Sequence, residues 1–455
     1  MAGKKIACLG GGSFYFRRVL ADLALADDLA GSEVVLYDIE HEKARRMAKM
    51  GARLARQAST GCKIRAARSL ADALDGAHFA VASIGASGAG ISPNVYDSWF
   101  HNADVHIPAK YGIQQVIGDT AGPAGMMMGL RSIPAYMKIA KAMEKRCPSA
   151  ILFNHSNPMA VICRALNKYT SIKTIGICHG VQHGIRNAAQ ALGVPPRELE
   201  VTWVGTNHYY WFTRVSHRGK DLYDKLRKIT MKEPPPERRR MSTHLSQIYG
   251  YILVYAYDNH SVEFYPFLSR VSRQDDLPYG LKDDALKHGF DASRPLAPYK
   301  EPTARVREKF FKEYQKILDS TELPEKIDDS ITSEGMASLL SAIAHGRRQI
   351  AIVNIPNSGA IPNLPFEALV EVEAVTDSMG VRPLVMDEAP PVLKGMLEKR
   401  FAWHDLVADA AVKGDRGLAL QALMLDEMSI WPNQAERMLD ELLAASKPLL
   451  PQFKL

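Results

Sequence analysis

Two short segments carry groups that could hold a metal ion. Ile177-Cys178-His179-Gly180 ends an apolar, strand-like run, and Gly205-Thr206-Asn207-His208-Tyr209 follows further along. A thiolate and an imidazole are both ligands for a divalent cation. One of each cannot close a structural site, so such an ion keeps open positions for substrate oxygens. Spacing alone leaves a plainer reading open, a buried strand-end cysteine and an unrelated structural histidine. A third segment, Gly10-Gly11-Gly12-Ser13, ends the apolar run Ile6 to Leu9, after which Phe16, Val19, Leu20 and Leu23 recur at helical spacing. A glycine turn between strand and helix lets backbone N–H groups approach a pyrophosphate at the positive helix end. Gly10 and Gly12 fill the first two places of G-x-G-x-x-G, with Tyr15 at the third. Asp38, ending the run Val34-Val35-Leu36-Tyr37, is placed to accept hydrogen bonds from an adenosine ribose, which selects NAD. The competing reading is a tight turn with an acidic strand cap; the intact order of strand, turn and helix favours the dinucleotide.

The elements that must position these groups follow a regular alternation. Apolar strand-like runs at 6–9, 34–37, 79–82, 150–153 and 174–177 alternate with helical stretches, which predicts an α/β fold with a Rossmann-type, doubly wound parallel sheet. After about Arg186 the texture changes to alternating patches such as 201–204 and 209–212, then Pro234-Pro235-Pro236 beside Arg238-Arg239-Arg240, which we take as a solvated loop. The division is therefore 1–186 for a NAD-binding domain and 187–455 for a second α+β domain that binds substrate and completes the metal site. Within the latter, 350–353 and 369–372 read as strands, and the Leu and Met stripes of 415–445 as core-facing helix.

Composition narrows the function classes. The chain has 455 residues, with 57 Lys+Arg against 50 Asp+Glu, a net 57 − 50 = +7 spread among acids rather than gathered into an arm. Nucleic acid is thus a weak expectation, and small anionic ligands are at least as compatible. No run of about 18 apolar residues and no signal-like start is present, so no membrane is expected and the location is read as cytoplasmic. The five cysteines, 8, 62, 147, 163 and 178, are odd in number and lack a C-x-x-C, so neither a disulfide framework nor a zinc knuckle is expected.

Taken in order along nearly the whole chain, a further set of motifs resembles glycoside hydrolase family 4, the NAD- and divalent-metal-dependent glycosidases related in fold to lactate and malate dehydrogenases. The resemblance rests on Gly10-Gly11-Gly12-Ser13, Ile107-Pro108-Ala109-Lys110-Tyr111-Gly112, Gly118-Asp119-Thr120-Ala121-Gly122-Pro123, and Asn154-His155-Ser156-Asn157-Pro158. It continues in Cys178-His179-Gly180, Gly205-Thr206-Asn207-His208, Val353-Asn354-Ile355-Pro356-Asn357 and Gly414-Asp415-Arg416-Gly417. Such enzymes stand outside the two-carboxylate rule for glycosidases. The resemblance implies a redox route. NAD⁺ takes hydride from the sugar C3, the ketone acidifies the C2 proton, a base removes it, and the aglycone leaves by elimination. Water then adds, and the hydride returns.

The same resemblance implies roles. Cys178 and His208 hold the metal, Mn²⁺ first among candidates; Gly10, Gly12, Ser13 and Asp38 hold NAD⁺; Asn157 binds substrate hydroxyls, and Asp119, in the substrate-binding set, lies near substrate or metal. His179 becomes the general acid or the leaving-group contact, since imidazole can give and take a proton near neutral pH. The base is expected within 248–266, where Tyr255, Tyr257, Asp258, His260 and Glu263 all occur, with Asp258 preferred and Tyr257 second. The motif texture is similar to the branch acting on unphosphorylated α-galactosides, α-glucosides and α-glycuronides, and a homodimer or homotetramer is expected. Alternatives are the same mechanism on an anionic sugar, a uronide or sulfoquinovoside; a metal-free NAD-dependent 2-hydroxy-acid dehydrogenase; and a silent NAD-binding sensor. The joint presence of Cys178 and His208 speaks against the last.

Overall fold

The computed structural model describes residues 3–85, 98–232, 239–254, 257–327, 335–426 and 430–454. Pro234–Pro236, Arg238 and Tyr255 lie outside the described residues. Six parallel strands form the centre: β1 (Lys5–Leu9), β2 (Glu33–Tyr37), β3 (Lys63–Ala66), β4 (Phe79–Ala82), β5 (Ile151–Asn154) and β6 (Thr174–Gly176). Their continuous apolar runs are explained by burial on both faces. In β1, Ile6 and Cys8 enter one core while Ala7 and Leu9 enter the other. Helices Phe16–Leu25 and His41–Ala58 pack on the first face, and helix Gly122–Arg146 with the C-terminal helices Pro391–Lys413, Arg416–Leu425 and Pro432–Ser446 on the second. β3 escapes the sequence pattern because only Ile64 of its four residues is buried, at the sheet edge.

The other sheet is antiparallel, built from β7 (Leu199–Thr206), β8 (Tyr209–His217), the short β9 (Lys220–Asp221) and β10 (Ile252–Leu253). The remaining strands, β11 (Ile350–Pro356), β12 (Leu369–Asp377) and β13 (Gly380–Pro383), join the first sheet, giving the order β13-β12-β11-β6-β5-β4-β1-β2-β3. β11 lies antiparallel beside β6, with Asn354 opposite Gly176. A cut at residue 186 therefore marks a change of texture but not a division between sheets, since three strands from beyond it complete the cofactor sheet. Trp203 in β7 ties the two sheets together, its Nε1 donating to the Glu371 carbonyl of β12 at 2.7 Å. All five cysteines are free and buried, and no described helix is long and apolar enough to cross a membrane.

Candidate active site

The carboxyl ends of β1, β4, β5 and β6 open on one side of the sheet, where α/β folds collect ligands. At β1 the chain turns through Gly10 at φ 73°, and a Cβ there would stand 2.1 Å from the Ser83 carbonyl oxygen, so only glycine fits. The turn closes with Ser13 N donating to Gly10 O at 2.8 Å, and Ser13 Oγ lies 3.1 Å from Ser83 Oγ. Asp38 reaches back to the turn: its Oδ2 accepts from Gly12 N at 3.0 Å and its Oδ1 from Glu40 N at 2.9 Å. Burial raises its pKa against those two donors and the Lys43 charge. From the second half of the chain, Tyr314 on helix Ala304–Asp319 donates to the Gly12 carbonyl at 2.8 Å, pinning the turn from outside. Gly10, Gly12, Ser13 and Asp38 thus stand together, in a cradle that would meet steric conflict from an added side chain at either glycine. These residues fit a dinucleotide.

Tyr15, in the place of the third glycine, is not a spectator. Its Oη lies 2.8 Å from His155 Nε2, and the two rings are 4.3 Å apart. His155 belongs to the loop after β5 that carries Asn157, and Asn157 Nδ2 donates to Asp119 Oδ2 at 2.9 Å. The cofactor turn is connected in this way to a second cluster.

That cluster is polar and buried. The ligand-capable atoms of Asp119, His208 and His260 lie within 4.8 Å of one another. His208 occupies the tip of the two-residue turn between β7 and β8 at φ 64°, a conformation costing a non-glycine residue about 1 kcal/mol or more. The Thr120 hydroxyl donates its one proton to Asp119 Oδ1 at 2.7 Å, so toward His208 Nδ1, 3.1 Å away, it can only accept. This assigns the His208 proton to Nδ1 and leaves Nε2 with a lone pair, the tautomer that metal-binding histidines are held in by an outer partner. His260 Nδ1 is 3.6 Å from Asp119 Oδ1, and its ring lies 5.3 Å from that of His208. Burial works against the charge of Asp119, but His260, His208 and the Thr120 hydroxyl outweigh it and hold its pKa well below the usual carboxylate range. Burial likewise opposes a charge on His260, and Asp119 more than reverses it, raising the pKa.

Glu263 builds the loop beneath. Its carboxylate accepts from the backbone N–H of Gly118 at 2.8 Å, Thr120 at 3.0 Å and Ala121 at 3.0 Å, fixing the Gly-Asp-Thr segment that presents Asp119. Burial and the Asp119 charge push the Glu263 carboxyl up to about 7 against His260 and the amide donors. The spacing His260-x-x-Glu263 on one short helical segment was the available sign that both face the same loop.

The remaining candidates separate. Cys178 is buried, and its Sγ accepts from Gly180 N at 3.4 Å, the first amide of helix Gly180–Leu192, a position that favours a thiolate. His179 precedes that helix, half-buried, with its ring 5.5 Å from His183. Asp258, the preferred base, is engaged elsewhere. Its carboxylate accepts from Met241 N at 2.8 Å, Ser242 N at 3.0 Å and Ser242 Oγ at 2.6 Å, capping helix Arg240–Tyr249 from a distance. Tyr257 beside it is 45% exposed.

Comparison with known proteins places the chain in a family. The model of family 4 glycosyl hydrolases matches residues 5–194, and that of the same family's C-terminal domain matches residues 203–429. An alpha-galacturonidase of Thermoanaerobacter italicus is 30% identical over 446 residues, covering 93% of this chain and 92% of that protein. An alpha-galactosidase of Bacillus subtilis is 29% identical over 458 residues, covering 99% of this chain and all of that protein. A 6-phospho-alpha-glucosidase from gut microorganisms, solved in complex with NAD and Mn²⁺, shares the fold with a TM-score of 0.78 at 21% identity, covering 99% of this chain and 100% of that one.

Proposed function

The chain belongs to family 4 of the glycosyl hydrolases, and from that premise we propose that it cleaves unphosphorylated α-glycosides with NAD⁺ and a divalent metal, Mn²⁺ first. The observation that carries the reading is the continuity from cofactor turn to polar cluster, Tyr15 to His155 and Asn157 to Asp119, which sets a dinucleotide cradle beside a buried cation-type site. Bound there, NAD⁺ supplies a reversible hydride acceptor and the cation a Lewis acid for neighbouring sugar oxygens. Cys178 and His208 would hold the metal, with Thr120 fixing the His208 tautomer. Asn157 and Asp119 orient the hydroxyls. His179 contacts the glycosidic oxygen and exchanges a proton with the leaving group. Tyr257 takes the base role, because Asp258 is occupied by three donors at a helix start. An anionic sugar, a uronide above all, is the second reading, supported by the alpha-galacturonidase relative. Family resemblance supports a cytoplasmic homodimer or homotetramer, and sedimentation velocity checks the assembly.

The test is a panel of aryl α-galactosides, α-glucosides, α-galacturonides and sulfonated α-glucosides incubated with NAD⁺ and Mn²⁺ in D₂O. Cleavage dependent on both additions, with deuterium at C2 of the released sugar, is expected. Product without deuterium at C2 overturns the mechanism. Net NADH from a 2-hydroxy acid, without Mn²⁺, would place the chain with the dehydrogenases instead.

A further inference from the structure

We propose that Tyr15 and His155 form a proton relay for the sugar C3 hydroxyl, with Tyr15 touching the oxygen and His155 acting behind it. The relay rests on the NAD⁺-dependent reading above, which leaves one proton unassigned. When the C3 alcohol becomes a ketone, the C–H bond breaks and its hydrogen leaves as hydride for the dinucleotide. The O–H bond breaks as well, and its proton needs an acceptor. His179 is given to the glycosidic oxygen and Tyr257 to C2, so neither fills that place. Three observations carry the relay. The first is contact: Tyr15 Oη lies 2.8 Å from His155 Nε2, with the two rings 4.3 Å apart. A hydroxyl so placed takes a proton from a substrate oxygen while passing its own to the ring, and no phenolate has to build up. The second is position. Tyr15 N donates to Ser13 Oγ at 3.3 Å, which makes the tyrosine part of the cofactor turn, and His155 stands in the same loop as Asn157, the residue given to substrate hydroxyls. Cofactor and substrate meet at this side of an α/β sheet. The third is rigidity. His155 N donates to the Ala82 carbonyl at 2.9 Å, and Ser156 Oγ accepts from Ile84 N at 2.8 Å, so the loop is fastened to the end of β4 at two successive residues. When the ketone is reduced again, the protons travel back along the same path. The competing description is a brace, in which the pair only holds the turn against the loop.

Two measurements separate relay from brace. Long-range ¹H–¹⁵N NMR of the full-length, ¹⁵N-histidine-labelled protein, with and without NAD⁺, should show the His155 proton on Nδ1 and Nε2 as an acceptor, with the Nε2 signal shifting in Tyr15→Phe. A proton on Nε2 overturns the relay, because the ring could then receive nothing from the hydroxyl. The second measurement is single turnover of an aryl glycoside that the natural chain cleaves, followed by the absorbance of enzyme-bound NADH. Tyr15→Phe keeps the ring contact and loses only the hydroxyl. NAD⁺ affinity and far-UV circular dichroism should stay constant, while C3 oxidation slows roughly 10²–10⁴-fold and the isotope effect from deuterium at C3 rises as that step becomes limiting. His155→Gln keeps hydrogen-bonding capacity without basicity, so it preserves a brace but should slow C3 oxidation roughly 10-fold to 100-fold. An unchanged oxidation rate in Tyr15→Phe, or a full rate in His155→Gln, overturns the relay in favour of the brace. Hydrolysis that proceeds without NAD⁺ would sink the glycosidase reading instead, and the NMR result, which needs no turnover, fails or holds apart from it.

Discussion

The two ends of the candidate site are built by different means. The cofactor end is a piece of backbone: Gly10 to Ser13 turn tightly, Asp38 reaches back from the next strand, and the shape is complete within one strand-helix-strand passage. The polar end is a meeting of side chains, with Asp119, His208 and His260 brought from three separate segments and surrounded by Thr120, Asn157 and Glu263. A site made of backbone is broken by volume, whereas a site made of side chains is broken by changes of charge or of hydrogen-bond capacity. That distinction can be attacked from either side.

The largest effect is expected at the side-chain end. Asp119→Asn keeps the volume but removes the charge facing two imidazoles, and turnover should fall roughly 10²–10⁴-fold. NAD⁺ affinity, measured by fluorescence titration, should stay constant; a parallel loss of NAD⁺ binding would show that the two ends are not separable. Gly10→Ala is the mirror experiment. Its Cβ would stand 2.1 Å from the Ser83 carbonyl at positive φ, so a stability loss of about 1–3 kcal/mol in urea unfolding is expected together with weak NAD⁺ binding. Next comes Glu263→Gln, which turns one acceptor oxygen into a donor facing backbone N–H groups. About 1–3 kcal/mol should be lost and turnover should fall, since the loop carrying Asp119 loses its anchor. The smallest catalytic effect is expected at Asp258→Asn, where the cap of helix Arg240–Tyr249 weakens by about 1 kcal/mol. Tyr257→Phe by contrast should abolish deuterium exchange at C2. Intact exchange in Tyr257→Phe, with exchange lost in Asp258→Asn, would return the base role to the carboxylate.

The same contrast governs what could be read without coordinates. The glycine turn, the strand that precedes it and Asp38 are near neighbours in sequence, and their pattern carried the fold class and the closeness of Asp38 to the turn. The polar cluster was only partly visible. His208 and Asp119 stood out in their motifs, but His260 and Glu263 were two of five polar residues in one stretch, with nothing local to show which way they point. Asp258 drew attention as an unmodified carboxylate, yet the backbone amides it serves begin seventeen residues earlier, at Met241. β3 was hidden for another reason: an edge strand with one buried side chain has no apolar run to see. The strands of 350–353 and 369–372 were legible as strands but not as members of the cofactor sheet, because antiparallel pairing with β6 is decided by tertiary contact.

That last pairing bears on how the protein is made. β6, whose end carries Cys178, is an interior strand only because Asn354 of β11 lies beside Gly176. A nascent chain emerging from the ribosome therefore has to hold β6 as an open edge while the residues between Gly176 and Ile350 are synthesised, and such an edge invites pairing with other chains. Pairing of this kind closes a very long loop, so the step that seals the sheet is expected to be slow and late. Chains truncated before residue 350 should accumulate as aggregates, even though every residue of the dinucleotide turn is already present.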